Sequence, residues 1–197
     1  MINIVILVFA FIVICFGSEL EDKLFQYCSE NDVAGASRIL NQNEDLLNKR
    51  MDSTGYTPLM LSSLSGSHDV VKFLLDRGAD PSIAENDGYT PMHGAAFQGQ
   101  AAVIKVLLEY GIDPSDVHKD GYRPIHRAAW GKEKKHAAAV KALLEGGVSP
   151  FETTKDGIKT ARSLTKNKAT SKLLKAWERK LEHAQEGGNV GEPSTEL

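Results

Sequence analysis

A fifteen-residue pattern recurs along the chain at a fixed interval. Three copies are clear, DSTGYTPLMLSSLSG, ENDGYTPMHGAAFQG and HKDGYRPIHRAAWGK, and they place Gly55, Gly88 and Gly121 33 residues apart. A weaker fourth copy, TKDGIKTARSL, places Gly157 36 residues after Gly121. A period of about 20 to 50 residues is typical of proteins in which each unit packs only against its neighbours. The repeat therefore predicts a linear stack of similar units.

The copy around Gly88 shows the local structure that the pattern predicts. Gly88 marks a turn, because glycine adopts the positive φ that other residues resist. Thr90 can cap a helix whose first position is Pro91, since that position needs no amide hydrogen. A short helix over MHGAAFQ then ends at Gly99, and a second helix with an apolar face, AAVIKVLLEY, ends at Gly111. Each unit is predicted to be a turn, a helix, a short loop and a second helix.

These residues give the chain a resemblance to the ankyrin repeat family. The family pattern of glycine, a variable residue, Thr-Pro-Leu-His and paired alanines appears as GYTPMHGAA. The first copy has Met60 in place of the histidine, and the third has Arg123 in place of the threonine. A leucine pair followed by Gly-Ala-Asp appears as LLDRGAD at residues 74–80. The resemblance implies an all-α solenoid of helix-loop-helix units joined by short turn fingers.

The resemblance covers roughly residues 18–182 and implies about three full repeats between two caps. Capping units are expected because the end units of a stack have one face without a neighbour. The segment KEKKH (132–136) in the third repeat accounts for three extra residues. We expect it to lengthen the loop between two helices as a tolerated surface insertion, the alternative being a second contact site. The predicted units are an N-terminal capping repeat (18–50), repeats at 51–83, 84–116 and 117–152, a C-terminal capping repeat (153–183) and a disordered tail (184–197).

The first residues differ in kind from the repeats, because the stretch from Ile4 to Phe16 is unbroken apolar chain. As a helix it would be about 20–24 Å long, short of the ~30 Å hydrocarbon core of a bilayer. This length predicts a signal peptide over residues 1–17, with small residues Cys15 and Gly17 before a cleavage at Ser18. The protein is then secreted or held in the endoplasmic reticulum lumen. The alternatives are an uncleaved membrane anchor and a cytoplasmic protein, since no lysine or arginine precedes the apolar stretch.

The sequence offers no pattern typical of catalysis. His93 and His126 fall on the family's histidine, which the resemblance implies to be structural, forming hydrogen bonds locally between neighbouring units. The remaining histidines are dispersed without metal-ligand spacing, and the glycines recur because of turns rather than as a phosphate-binding loop. We therefore predict a protein that is not an enzyme and that holds neither cofactor nor metal.

The resemblance implies that partners bind the concave side, which is made of turn tips and first helices. Stacking at a constant period places equivalent residues in columns, so a tyrosine row follows the turn glycines and a second row grows from Leu to Phe to Trp. Tyrosine and tryptophan are over-represented at interface hot spots, although both rows could instead serve packing. The predicted partner-binding residues are Tyr56, Leu64, Asn86, Tyr89, Phe97, Gln98, Lys119, Tyr122, Trp130, Lys155 and Ile158.

Charge limits the class of partner. The formal net charge is -3, although the N-terminal cap is acidic and the C-terminal cap basic. A net charge near zero argues against a nucleic-acid module, and we expect the basic cap to be a solvated face.

The last residues, STEL, allow two interpretations, a retrieval signal or a PDZ ligand. The sequence predicts a monomeric, non-catalytic module that binds a protein partner in its groove within the secretory pathway, with a membrane-tethered or cytosolic adaptor as the alternative.

Overall fold

The computed structural model describes residues 19–187, so the predicted signal peptide and most of the tail lie outside the described residues. The described range contains ten α-helices, one short 3₁₀ helix and no β-strand, although Thr153 and Thr160 form an isolated bridge. The elements are α1 (19–30), α2 (Val33–Leu40), the 3₁₀ helix (Glu44–Asn48), α3 (Pro58–Ser65), α4 (His68–Asp76), α5 (Pro91–Gln98), α6 (Ala101–Glu109), α7 (Pro124–Trp130), α8 (Lys134–Glu145), α9 (Ala161–Leu164) and α10 (Lys168–Gly187).

The helices form two rows. The first helix of each unit packs against the first helix of the next, from α3 to α5, α7 and α9, and the second helices α4, α6, α8 and α10 form the other row. Small residues on the first helices allow this close approach, because they leave room for the neighbouring backbone. These fully buried pairs are Ser62–Ser63, Ala95–Ala96 and Ala128–Ala129. The arrangement confirms the predicted all-α solenoid.

Each turn before a first helix is closed by a backbone hydrogen bond, which spans four residues in the second and third turns and five in the first (Met51 N to Tyr56 O, 2.9 Å) and fourth (Thr154 N to Lys159 O, 2.8 Å). In the second turn the Glu85 amide donates to the Tyr89 carbonyl at 3.0 Å, and in the third the His118 amide donates to the Tyr122 carbonyl at 3.0 Å. The turn glycines all have positive φ: Gly55 (73°), Gly88 (94°), Gly121 (87°) and Gly157 (75°). Hydrogen bonds also join neighbouring turns: Asn86 N to Thr54 O (3.1 Å), His118 Nε2 to Asp87 O (2.9 Å) and Lys155 N to Gly121 O (2.9 Å).

A second type of hydrogen bond links each unit to the one before it. A side chain near the start of a second helix donates to a carbonyl near the end of the preceding unit's first helix, where helical carbonyls lack intrahelical partners. The four bonds are Ser67 Oγ to Ser29 O (3.2 Å), Gln100 Nε2 to Leu64 O (3.0 Å), His136 Nε2 to Phe97 O (3.1 Å) and Asn167 Nδ2 to Gly131 O (3.4 Å).

The insertion in the third repeat is mainly helical, so the expectation of a longer loop is wrong. Helix α8 has 12 residues, whereas α4 and α6 have nine each, and the loop before α8 (131–133) is only one residue longer than its counterparts. His136 explains the difference, because its buried ring lies against Gly131 while Nε2 holds the carbonyl at the end of α5. The insertion thus begins a longer helix that is tied to the second repeat.

Replacing His136 tests this role. His136→Ala leaves the Phe97 carbonyl without its donor and opens a cavity, so we expect the free energy of unfolding to fall by about 2–3 kcal/mol. Urea denaturation followed by circular dichroism measures the change. Lys134→Ala, an exposed substitution in the same insertion, is the matched control and should change stability by less than about 0.5 kcal/mol. Equal stability of the two variants would show that the insertion is merely tolerated.

Candidate functional site

One side of the stack is built from the turns and the first helices α3, α5 and α7, and we call it the turn face. It carries the tyrosine row (Tyr56, Tyr89, Tyr122) and the second row (Leu64, Phe97, Trp130) that the period placed in columns. The two rows do not have the same environment along the stack. Phe97 is 52% exposed, whereas Trp130 is half-buried against its neighbours.

A pocket of about 280 Å³ opens on the turn face between the first and second repeats. This volume lies just below the range of about 300–1,000 Å³ that is usual for small-molecule sites, so it suits one large side chain. The pocket brings together five of the predicted residues: Tyr56, Leu64, Tyr89, Phe97 and Gln98. It is also lined by six residues that we did not predict: Met60, Glu85, Asp87, His93, Gly94 and Arg127.

Arg127 is the central residue that the sequence analysis missed. It is only 7% exposed, and its guanidinium carbon lies 4.8 Å from the Tyr89 ring centre, 5.1 Å from that of Tyr122 and 4.7 Å from that of Trp130. The guanidinium forms an ion pair with Asp120 and donates to the Tyr89 hydroxyl at 2.8 Å. Three aromatic faces and one carboxylate thus surround one cation, which is a favourable setting for a guanidinium. Tyr122 and Trp130 are therefore engaged within the stack.

Asp120 ties this cluster together. Its carboxylate lies 2.8 Å from Nδ1 of His118 and accepts from the Tyr122 amide at 3.1 Å, in addition to its ion pair with Arg127. Burial opposes ionisation, but these hydrogen bonds outweigh it and lower the pKa of Asp120 from 3.8 to about 2. The buried His118 ring stacks on Tyr89 at 3.9 Å between ring centres. The second and third repeats are therefore joined by one continuous polar and aromatic cluster.

The two histidines that the family pattern identifies serve the fold. His126 accepts from the Arg123 amide at 3.1 Å and donates from Nε2 to the Glu152 carbonyl of the next unit at 3.1 Å, as predicted. His93 bonds to the Thr90 hydroxyl within its own unit at 2.8 Å, and among residues 19–187 its buried Nε2 has no hydrogen-bond partner, so the predicted bond between units is not found for His93. Burial lowers the pKa of both imidazoles and thus favours their neutral forms.

Six predicted residues do not line the pocket: Tyr122 and Trp130, which belong to the Arg127 site, and four others. Asn86 joins the first two turns, because it donates to the Ser53 carbonyl at 3.3 Å and accepts from Arg50 at 3.0 Å. Lys119 and Lys155 are exposed on the third and fourth turns. Ile158 is 73% exposed and stands in a unit whose first helix starts one residue later after the turn glycine than α7 does.

The described residues 19–187 include no group of three or more histidine, cysteine, aspartate or glutamate side chains that could hold a metal ion. Burial raises the pKa of the Cys28 thiol to about 12, which disfavours the nucleophilic thiolate form. Among the helices in this part of the chain, none combines the length and apolarity needed to cross a bilayer.

Comparison with known proteins identifies the repeat. A family model described as "Ankyrin repeats (3 copies)" matches residues 11–85 and 78–154. The NAD-capped RNA hydrolases NUDT12 of Macaca fascicularis, Pongo abelii and Homo sapiens are each 39% identical to the chain over 59 residues. That match covers 29% of this chain and only 13% of those proteins. It is too short to carry their hydrolase activity over to this chain.

The lowered pKa of Asp120 predicts a pH-dependent contribution to stability. Because the pKa is lower in the folded chain, the carboxylate stabilises the fold above its ordinary value of 3.8, and this contribution is lost as pH falls towards about 2. Because the Asp120 side chain is about a third exposed, solvent screens part of its interactions, and Asp120→Asn should lower the free energy of unfolding by about 1–2 kcal/mol at pH 7. Urea titrations at pH 7, 5, 4 and 3 should show the difference from the parent chain shrinking below pH 4.

The control is Asp52→Asn, an exposed carboxylate change that we expect to leave stability within about 0.5 kcal/mol of the parent at each pH. If Asp120→Asn matched this control at pH 7, the carboxylate would not hold the cluster together.

Proposed function

Because the chain belongs to the ankyrin repeat family, we propose that it is a non-catalytic module whose turn face binds a segment of a partner protein. Ankyrin repeats generally mediate protein–protein interaction, and the family match covers more than half of this chain. The observation that carries the assignment to the turn face is the exposed Phe97 ring at the pocket between the first two repeats.

The position of Phe97 argues for binding rather than for packing. Neighbouring first helices meet through small buried residues, so the stack does not need a large ring at this position. Leaving an apolar ring half in water has a free-energy cost that covering by a partner removes. Tyr56 and Tyr89 beside it supply further aromatic surface, which is enriched where binding energy concentrates.

The turn face has two parts that differ in role. The part around the third repeat is already filled, because Tyr122 and Trp130 pack on the guanidinium of Arg127. The part around Phe97 is open, and Tyr89 lies at the border of the two parts, since its ring also contacts Arg127 and stacks on His118. We therefore assign the main contact to Tyr56, Leu64, Tyr89, Phe97 and Gln98, and a peripheral contact to the exposed lysines Lys119 and Lys155.

Substitutions in the second row separate these roles. Phe97→Ala removes an exposed ring, so we expect less than about 1 kcal/mol change in stability and a loss of about 2 kcal/mol in partner binding. Trp130→Ala removes a face of the Arg127 site, so it should lower the melting temperature. Thermal melts measure the stability of both variants. A photo-crosslinking residue placed at position 97, or at exposed Lys105 on α6 as the comparison, shows which surface contacts a partner protein.

We expect the probe at position 97 to cross-link a partner protein that the probe at position 105 does not reach, and the yield should drop when Tyr56→Ala is added. Equal yields from both positions, or unfolding caused by Phe97→Ala, would contradict binding through the turn face.

We also propose that the module works in the secretory pathway, on the basis of the apolar segment Ile4–Phe16. If residues 1–17 are a signal peptide, mass spectrometry of the protein expressed in eukaryotic cells will show an N-terminus at Ser18. A retained Met1 in the membrane fraction would instead support a tethered adaptor, and a retained Met1 in the soluble fraction would support a cytosolic one.

A further inference from the structure

The site around Arg127 has a counterpart one repeat earlier. The residues of that site have equivalents 33 positions earlier in the chain. Tyr56 is equivalent to Tyr89, Tyr89 to Tyr122, Phe97 to Trp130 and Asp87 to Asp120. The residue equivalent to Arg127 in the second repeat is Gly94. The five earlier residues all line the pocket on the turn face: Tyr56, Asp87, Tyr89, Gly94 and Phe97. The pocket therefore repeats the aromatic rings and the carboxylate of the Arg127 site but has glycine at the position equivalent to Arg127, and Arg127 itself contributes to its lining beside Tyr89.

Glycine at position 94 allows the side chains of Met60 and Leu64 to pack close to the backbone of α5. A Cβ atom there would lie 3.0 Å from Met60 Cε and 3.1 Å from Leu64 Cδ2, which are the flexible ends of two side chains. The backbone of the second repeat thus forms the pocket wall where, in the third repeat, the Arg127 side chain begins. The second repeat therefore has no side chain at the position from which the Arg127 side chain extends in the third repeat.

The charges of the two sites also differ. In the third repeat the carboxylate of Asp120 is balanced by Arg127. In the pocket, Asp87 forms no ion pair with any described residue, and Glu85 stands where the third repeat has His118. Glu85 accepts from the amides of Asp87 at 2.9 Å and Tyr89 at 3.0 Å, so its carboxylate is held in place. Two carboxylates, Glu85 and Asp87, thus line the pocket, and the cation in its described lining, Arg127, is paired with Asp120 of the neighbouring site.

We propose that this pocket binds the guanidinium of an arginine side chain that the partner protein presents. The inference rests on the proposed function for the nature of the partner. Aromatic rings attract a guanidinium by cation–π interaction, and a carboxylate adds charge-assisted hydrogen bonds. The Arg127 site shows that the same combination of side chains holds a guanidinium in this fold. Acidic partner side chains are disfavoured by Glu85 and Asp87.

The first test uses a minimal probe. The peptide acetyl-Gly-Arg-Gly-amide is titrated into the ¹⁵N-labelled full chain, and the citrulline peptide of the same shape but without charge serves as the comparison. We expect saturable shifts of the Gly94, Tyr89 and Phe97 amides with the arginine peptide, and at least tenfold weaker binding of the citrulline peptide. Binding should weaken with added salt, because the ion pair is partly exposed. Equal binding of both peptides would overturn the proposal.

Variants provide the second test. Gly94→Arg supplies the cation from within the chain and should abolish binding of the arginine peptide. Asp87→Asn should weaken binding at least fivefold, and it keeps the proposal testable if Gly94→Arg fails to fold. Asp52→Asn, outside the pocket, should leave binding unchanged. Unaltered binding by Asp87→Asn would overturn the proposal.

This test and the cross-linking experiment fail independently. If a partner cross-links at position 97 but the arginine peptide does not bind, the proposed function stands and the arginine site is refuted. If the arginine peptide binds but no partner cross-links at position 97, the arginine site stands and partner binding through the turn face is refuted.

Discussion

The close contact between neighbouring first helices sets the geometry of the whole stack. Pairs of serine or alanine at the contact are fully buried, so the helices meet with little room for variation. Constant spacing between units follows, and residues 33 positions apart come to lie beside one another. The aromatic rows, the joined turns and the recurring side-chain bonds to helix-end carbonyls all depend on that constant spacing. The small residues are therefore as important to the turn face as the aromatic residues that form its surface.

Much of the fold could be predicted because its determinants are local. Turn glycines, the Thr-Pro helix starts and the apolar periodicity each act within a few residues, and the fixed period extends them to the stack. The helical insertion could not be predicted in this way. Its charged residues suit a loop or an exposed helix equally, and the choice depends on His136 reaching the carbonyl of Phe97, 39 residues earlier in the chain.

The candidate site was predicted only in part for a related reason. Columns compare equivalent positions, and they correctly grouped Tyr56, Tyr89 and Phe97. Arg127 stands in a column with Leu61 and Gly94, where no residue type recurs, and its long side chain interacts across columns with rings from two repeats. The recurring bonds to helix-end carbonyls were missed likewise, since serine, glutamine, histidine and asparagine each provide one of them. These interactions depend on whether a side chain is long enough and placed closely enough to contact its partner, and several residue types meet that condition.

The glycine at position 94 has a consequence for how such arrays diversify. A single nucleotide change converts a glycine codon into an arginine codon, so one mutation can place an arginine of the chain itself beside the rings and the carboxylate of a repeat, as in the third repeat. Duplication of a unit copies the rings and the carboxylate together, and the residue after the histidine then sets each copy independently. An array of this kind can gain or lose recognition positions during evolution without altering the scaffold that carries them.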